Sequence, residues 1–267
     1  MRLFTRFITL WLAIAFTGNV LAADETWRKD RFSFGVGFYR PNVDTRISVS
    51  DPASGRSGTL LDLEKDLDLK NRKSQFMIDT HFRFAKRHAI EFDYISLQRN
   101  STKTILFEID YDGDIFPIDA DVNVKFETDV TRLAYRFSFI NNEKMEVAAS
   151  VGLHITDLKV GLNIEGEPES FNDVTAPLPT LGGSFEYHFS ENWSFLIRGE
   201  WLDIEIDNVN GSLTSGLAEL QWYPWRNFGF GLGYNVFDFD VSATKSDLTG
   251  SIKYKYDGPR LLLEARF

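Results

Sequence analysis

Arg260-Leu261-Leu262-Leu263-Glu264-Ala265-Arg266-Phe267 closes the chain. In an extended strand successive side chains point to opposite faces. Leu261, Leu263, Ala265 and Phe267 therefore share one face, and Arg260, Glu264 and Arg266 the other. A strand apolar on one side and charged on the other suits the wall of a membrane barrel, with lipid outside and a polar lumen inside.

The same period of two recurs nine more times, and helical periodicity is almost absent. It runs through Phe32–Phe38, Phe76–Phe84, Ile90–Tyr94, Leu133–Phe139, Met145–Ile155, Leu181–Phe189, Trp193–Trp201, Ala218–Trp222 and Phe228–Val236. Short turns near Ala85-Lys86-Arg87, Asn141–Lys144, Ser190–Asn192 and Pro224–Asn227 alternate with polar segments at roughly 50–73, 108–121, 164–178, 207–211 and 245–250. Tight turns on one side and longer loops on the other are the asymmetry of an outer-membrane barrel. The expected fold is all-β: a transmembrane up-and-down antiparallel barrel of about ten strands. Eight or twelve strands would follow if a hairpin has been split or merged.

The opposite end reads as an export signal. A basic start with Arg2 and Arg6 precedes an apolar run from Phe7 to Phe16, and Val20-Leu21-Ala22 supplies the small residues a signal peptidase reads. Residues 1–22 are expected to be a signal peptide and 23–267 one barrel domain. The apolar run is shorter than the ~20 residues a helical span needs. The chain has 267 residues and no cysteine, which excludes disulfides and thiolate metal or redox chemistry. Its net charge of −10 becomes more negative once the two leader arginines are removed, which argues against nucleic acid.

Aromatic side chains gather beside the short turns: Phe82, Phe84, Phe137, Phe139, Tyr187, Phe189, Trp193, Trp222, Tyr223, Trp225 and Phe228. They are expected to form a periplasmic-side girdle. Two strands also continue out of phase. Val122, Val124 and Phe126 precede Leu133 with a slip, and Leu158, Val160 and Leu162 follow Ile155 in the same way. Such slips indicate β-bulges or wall rising above the membrane.

In phase, the inward faces carry Asp79, Arg83, Glu91, Asp93, Arg132, Arg136, Glu146, His154, Glu186, Arg198, Glu200, Glu219, Arg260, Glu264 and Arg266. Buried charges must be paired, so a narrow barrel would fill its lumen with an Arg–carboxylate network. The other reading of these residues is a polar pore lining. His81 and His188 lie near short turns. His154, with Ser150 and Thr156 in phase, is the best placed histidine for catalysis, yet no partner nucleophile can be assigned to it. No catalytic, cofactor-binding or metal residues are expected. The acidic stretch from Asp62 to Leu69 is read as a solvated charged face with its leucines packed below. Asp110-Tyr111-Asp112-Gly113-Asp114 is read as a turn. Gly229, Gly231 and Gly233 would make room in the lumen for bulky neighbours.

Two stretches carry a resemblance. Asp62-Leu63-Glu64-Lys65-Asp66-Leu67-Asp68-Leu69, followed by the strand pair from Met77 to Ser96, is one. Trp222-Tyr223-Pro224-Trp225-Arg226-Asn227-Phe228-Gly229-Phe230-Gly231-Leu232-Gly233-Tyr234-Asn235 is the other. Both resemble a poorly characterised group of the small outer-membrane β-barrel proteins of Gram-negative bacteria. The last strand, with Leu261, Leu263, Ala265 and Phe267 on one face, resembles the C-terminal assembly signature of bacterial outer-membrane proteins. The resemblance implies an outer-membrane location, handling by the barrel-assembly machinery, and contact with lipid and lipopolysaccharide. It brings no reaction and no cofactor. The expected role is a monomeric, non-enzymatic structural or surface-exposed protein with a plugged lumen. The first alternative is a narrow channel for small solutes, and the second an enzyme hydrolysing lipid or peptide.

Overall fold

The computed structural model describes residues 31–50, 58–164, 170–206, 208–244 and 249–267. The leader assigned to residues 1–22 lies outside them. In chain order the elements are β1 (Phe32–Tyr39), β2 (Asn42–Ser50), β3 (Leu61–Asp62), the one-turn helix α1 (Leu63–Asp66), β4 (Gln75–Ala85), β5 (His88–Thr104), β6 (Ile109–Tyr111), β7 (Asp114–Phe116), β8 (Asp121–Asn141), β9 (Met145–Ile164), β10 (Ser170–Ser190), β11 (Trp193–Ile206), β12 (Val209–Trp222), β13 (Phe228–Thr244) and β14 (Thr249–Arg266).

Each wall strand pairs antiparallel with its neighbours, and β1 pairs with β14 to close the ring. The first wall strand is broken at Arg40-Pro41. β1 lies on the lower part of β14, from Ser33 opposite Arg266 to Tyr39 opposite Arg260. β2 lies on the upper part, from Asn42 opposite Asp257 to Ser50 opposite Thr249. Counted as one, β1 and β2 complete a ten-stranded barrel with β4, β5 and β8 to β14, as the alternation predicts. Phe267 locks the seam: its carbonyl accepts from the amides of Arg31 and Phe32, and its own amide donates to Phe32.

The phase slips expected near Val122–Leu133 and Ile155–Leu158 are not bulges. β8 keeps even-numbered residues inward from Val122 to Ser138, and β9 does so from Glu146 to Leu162. The surroundings change instead. Beside the short turns the outer face carries Leu133, Tyr135 and Phe139, and the inner face Arg132, Arg136 and Ser138. Higher up, the inner face carries Val122, Val124 and Phe126, all fully buried, while Lys125, Glu127 and Asp129 face out. The apolar face changes sides because lipid surrounds the lower wall and water the upper. The same inversion separates Val236 from Phe237 in β13 and Leu261 from Tyr256 in β14. Register shifts do occur, but beside the short turns, at Arg83/Ala85, Ser138/Ile140 and His188/Ser190.

Parts of three expected loops are wall among the described residues. Ser170–Leu178 belongs to β10, Val209–Gly211 to β12, and Thr249–Gly250 to β14. Their polar residues, Asp173 and Thr175 among them, occupy the outer face of strands standing above the lipid band. Segments 165–169 and 245–248 and residue 207 lie outside the described residues.

The acidic stretch is wall as well: its leucines are packed below as expected and Lys65 and Asp68 are exposed, but it is built into the barrel and does not stand off it as a loop. β4 stops at Gln75, opposite Tyr39, and leaves a gap between β2 and the upper part of β5. β3 pairs with β2 through Arg46–Asp62 and Ile47–Leu61. α1 then crosses toward β5, where Ser101 donates to the Leu67 carbonyl at 2.7 Å and Lys103 to the Lys65 carbonyl at 2.8 Å. Asp62 caps the helix by accepting from the Lys65 amide at 3.1 Å. Leu61, Leu63, Leu67 and Leu69 point into the barrel and are buried. Within 108–121, β6 and β7 form a separate hairpin turning at Asp112-Gly113, both at positive φ, in agreement with the turn reading.

Candidate functional site

The lumen is built in tiers. At the short-turn end Tyr223 turns inward, its hydroxyl donating to Glu264 at 3.1 Å and its ring lying 3.3 Å from the Arg266 guanidinium. It is buried, and so stands apart from the expected aromatic girdle. The rest of the girdle faces out, and Phe189, Trp193, Trp222 and Phe230 stack in sequence at 6.3, 5.7 and 5.9 Å.

The next tier is the charge network, centred on Arg132 of β8. Its Nη1 donates to Asp93 at 2.9 Å, its Nη2 to Glu91 at 2.8 Å, and its Nε and Nη2 to Glu200 at 2.8 and 2.6 Å. Glu91 and Asp93 come from β5 and Glu200 from β11, so the pairs cross the lumen as well as running along its wall. Arg198 donates to the same Asp93 at 2.9 Å, and Arg136 lies 2.9 Å from Glu91. Arg83 binds both oxygens of Glu146, at 2.9 and 2.8 Å, and Ser138 also donates to that carboxylate. Arg260 donates to Asp79 at 3.0 Å and pairs with Glu219 at 2.8 Å. Glu186 lies 3.4 Å from His188. All fifteen charged or histidine positions named from the sequence thus face inward, and contacts link most of them into one web. His81 joins it through Arg136 Nη2 at 3.0 Å.

The three inward glycines of β13 make this packing feasible. A Cβ on Gly231 would sit 2.8–3.0 Å from the Glu219 carboxylate, one on Gly233 3.1 Å from Arg260 Cγ, and one on Gly229 2.2–2.5 Å from the Tyr223 ring. They are spaces held open for neighbours, as their alternation suggests.

His154 Nε2 lies 2.8 Å from Glu200, while its Nδ1 has no hydrogen-bond partner among the described residues. Ser150 also donates to Glu200, at 3.4 Å. That carboxylate orients the histidine, and among the described residues no hydroxyl hydrogen-bonds its ring nitrogens. The His154 side chain is buried, its ring 5.9 Å from that of Phe237.

Above the charges lies an aromatic layer absent from the sequence reading: Tyr39, Phe126, Phe237, Phe239, Tyr254 and Tyr256. Phe237 and Tyr256 stack at 4.7 Å, and Tyr39 meets Tyr256 edge-on at 5.7 Å. Arg99 was also missed. It is buried, pairs with Glu64 of α1, donates to Thr45 at 2.6 Å, and sits 5.0 Å from the Phe126 ring centre. Inverted alternation in the upper strands was the signal that could have found both. At the top, aliphatic side chains line a cleft of about 240 Å³.

Against solved structures, the outer-membrane protease OmpT of Escherichia coli superposes with a TM-score of 0.58 at 8% identity, over 91% of this chain and 99% of that one. The chain has the fold of an outer-membrane β-barrel. OprG of Pseudomonas aeruginosa aligns more loosely, at TM-score 0.43 and 10% identity over 92% of this chain and 99% of that one. Ail of Yersinia pestis, solved with a heparin analogue, gives 0.33 at 10% identity over 87% of this chain and 99% of that one. No family model and no curated protein sequence matches the chain. At these identities the likeness concerns the architecture, and the neighbours' differing roles stay with the neighbours.

Proposed function

We propose that the protein is a non-enzymatic outer-membrane barrel whose lower lumen is sealed by the Arg–carboxylate web. The observation that carries this is Arg132, which is bound to three carboxylates on two other strands. The aromatic layer adds a second barrier. The void beside it, lined by Tyr39, Leu97, Tyr254 and Tyr256 among others, measures about 10 Å³, at the lower limit of the ~10–15 Å³ that one water needs. An eight- to ten-stranded barrel is narrow enough for side chains to fill. The refolded mature protein in a planar bilayer should give no discrete conductance steps. Reproducible openings would make it a channel with these charges as its selectivity residues.

The assembly role of the last strand belongs to the same proposal. Leu261, Leu263 and Phe267 face out and are exposed, and Phe267 closes the ring. Removing Phe267 should lower the amount of folded barrel in outer membranes several-fold, read as the heat-modifiable band on unboiled gels. Unchanged yield would remove the aromatic end from the assembly signal. The surroundings we propose are lipid along the apolar band and lipopolysaccharide against the outward charges above it, where Lys255–Asp238 and Lys253–Asp240 pair at 2.5 and 3.2 Å. The barrel is proposed to act as a monomer.

A further inference from the structure

High above the lipid band, one part of the barrel mouth holds apolar side chains out in water. The ladder between β5 and β8 continues eight pairs past Ser96–Asp129, up to Thr104–Asp121. At ~3.3 Å per residue that is ~26 Å of strand. Beyond it the Ile105 amide donates to the Ala120 carbonyl and the Asp119 amide to the Ile105 carbonyl, each at 3.0 Å. The β6–β7 hairpin rises from this pair.

The hairpin has two unlike faces. Ile109, Tyr111 and Phe116 are buried in the apolar core, and the Asp112 amide donates to the Val49 carbonyl at 3.2 Å, so the hairpin is seated on the mouth. The remaining side chains look outward. Leu106 is 79% and Ile118 58% exposed, and Phe107 and Ile115 are exposed with them. The register brings Leu106 and Phe107 across from Pro117 and Ile118, between the Ile105–Ala120 and Ile109–Phe116 pairs. Glu108, Asp114 and Asp119 stand exposed among these apolar groups. Residues 105–121 carry six carboxylates and no lysine or arginine. Asp110 Oδ1 is buried with no hydrogen-bond partner among the described residues. Apolar side chains grouped on a water-facing surface mark an interaction site.

The backbone adds an open edge. β6 and β7 form a sheet of their own. Asp110 spends its carbonyl on the Thr59 amide at 2.8 Å and its amide on the Thr59 hydroxyl at 3.0 Å. In an antiparallel pair, a residue that turns both backbone groups away from its partner stands opposite one that does the same. Asp110 is opposite Ile115, so Ile115 presents its amide and carbonyl along the free side of β7. Such an edge accepts a further strand.

We propose that this hairpin docks a cationic amphipathic polypeptide from the medium, laid as a strand along β7. Its aliphatic side chains cover Leu106, Ile115 and Ile118, and its lysines or arginines meet Glu108, Asp114 and Asp119. The charge selects this occupant. A second copy would bring the same carboxylates against each other, and the phosphates of lipopolysaccharide would be repelled. The acyl chains lie a full upper wall below. The proposal stands apart from the sealed lumen and applies equally to a conducting barrel.

The test uses the full mature barrel in phosphatidylcholine nanodiscs, with empty discs as the blank. The probe is a fluorescein-labelled dodecapeptide alternating lysine with valine and isoleucine, followed by anisotropy. Wild type should bind it saturably, and more weakly as salt rises. L106S/I115S/I118S should weaken binding about tenfold at every salt concentration, because the apolar contact is unscreened. E108Q/D114N/D119N should weaken it about tenfold at low salt and flatten the salt dependence. Ile115→Pro removes only an outward amide, which an edge strand tolerates, and should also weaken binding. Heat-modifiable gel mobility checks that each variant folds. Binding no stronger than to empty discs would overturn the proposal, as would full binding by either triple variant. Equal binding of a lysine–serine or a glutamate–valine peptide would also overturn it, by reducing the contact to charge or to greasiness alone. An Ile115→Pro barrel that binds like wild type would refute the strand pairing. Cross-linked dimers of the barrel that vanish in the same variants would make this face a self-contact and refute the polypeptide partner.

Discussion

Replacing Arg132 by alanine should destabilise the barrel by about 3–5 kcal/mol and turn a silent lumen into a leaky one. Arg132 is 3% exposed and binds Glu91, Asp93 and Glu200. Removing one member of a buried ion pair leaves the partner charge uncompensated, and that penalty is ~3–5 kcal/mol. Here three carboxylates share the loss, and only Asp93 and Glu91 keep Arg198 close by, at 2.9 and 3.4 Å. Glu200 would keep His154 at 2.8 Å, so its carboxylate would depend on that ring for compensation. Urea unfolding in liposomes, followed by tryptophan emission, measures the first effect, and planar-bilayer current measures the second. R132K keeps the charge but loses the planar fork that reaches three partners. It should fall between wild type and R132A in stability. If R132A unfolds like wild type, the web is not a structural unit.

Leu63→Ala should cost about 2–5 kcal/mol, the usual range for deleting most of a fully buried leucine, and its effect should be local. Leu63 has no exposed surface and anchors α1, the turn that fills the wall between β2 and β5. Glu64 next to it accepts from the Thr45 amide at 2.7 Å and pairs with Arg99. Loosening the turn uncouples that pair and frees the backbone beside Lys65, Lys70, Arg72 and Lys73, whose side chains are already exposed, to enter a protease. Limited trypsin digestion should therefore cut within 65–73 at least tenfold faster than in wild type. The lower wall should keep its heat-modifiable gel mobility. Equal cutting rates would mean that the patch is held by its backbone and side-chain hydrogen bonds and not by the leucines.

Much of this barrel could be read from residue order. Period-two alternation locates the lipid-band part of each of the ten barrel strands because lipid and lumen impose opposite demands on neighbouring side chains, and the demand repeats at each second residue. The charged inward positions follow from the same phase, as do the glycines of β13 that face them. Alternation alone does not reveal which medium lies on which side. Where the outside changes from lipid to water the apolar face moves inward, and Val122–Phe126 or Phe237–Phe239 then look like slips in register. The second of the two readings of those slips, wall rising above the membrane, is the one the strands bear out, and the aromatic layer and Arg99 belong to that upper wall.

What the sequence by itself determined is therefore the strand set, the closure by the C-terminal strand, and the identity of the lumen charges, because each depends on chemistry repeated at fixed spacing along one chain. Tertiary structure alone decided which carboxylates each arginine meets and that Asp62–Leu69 is wall. Those outcomes depend on where one strand ends relative to another. Gln75 leaves a gap that α1 fills. Such offsets arise when the ring closes, and no local pattern records them.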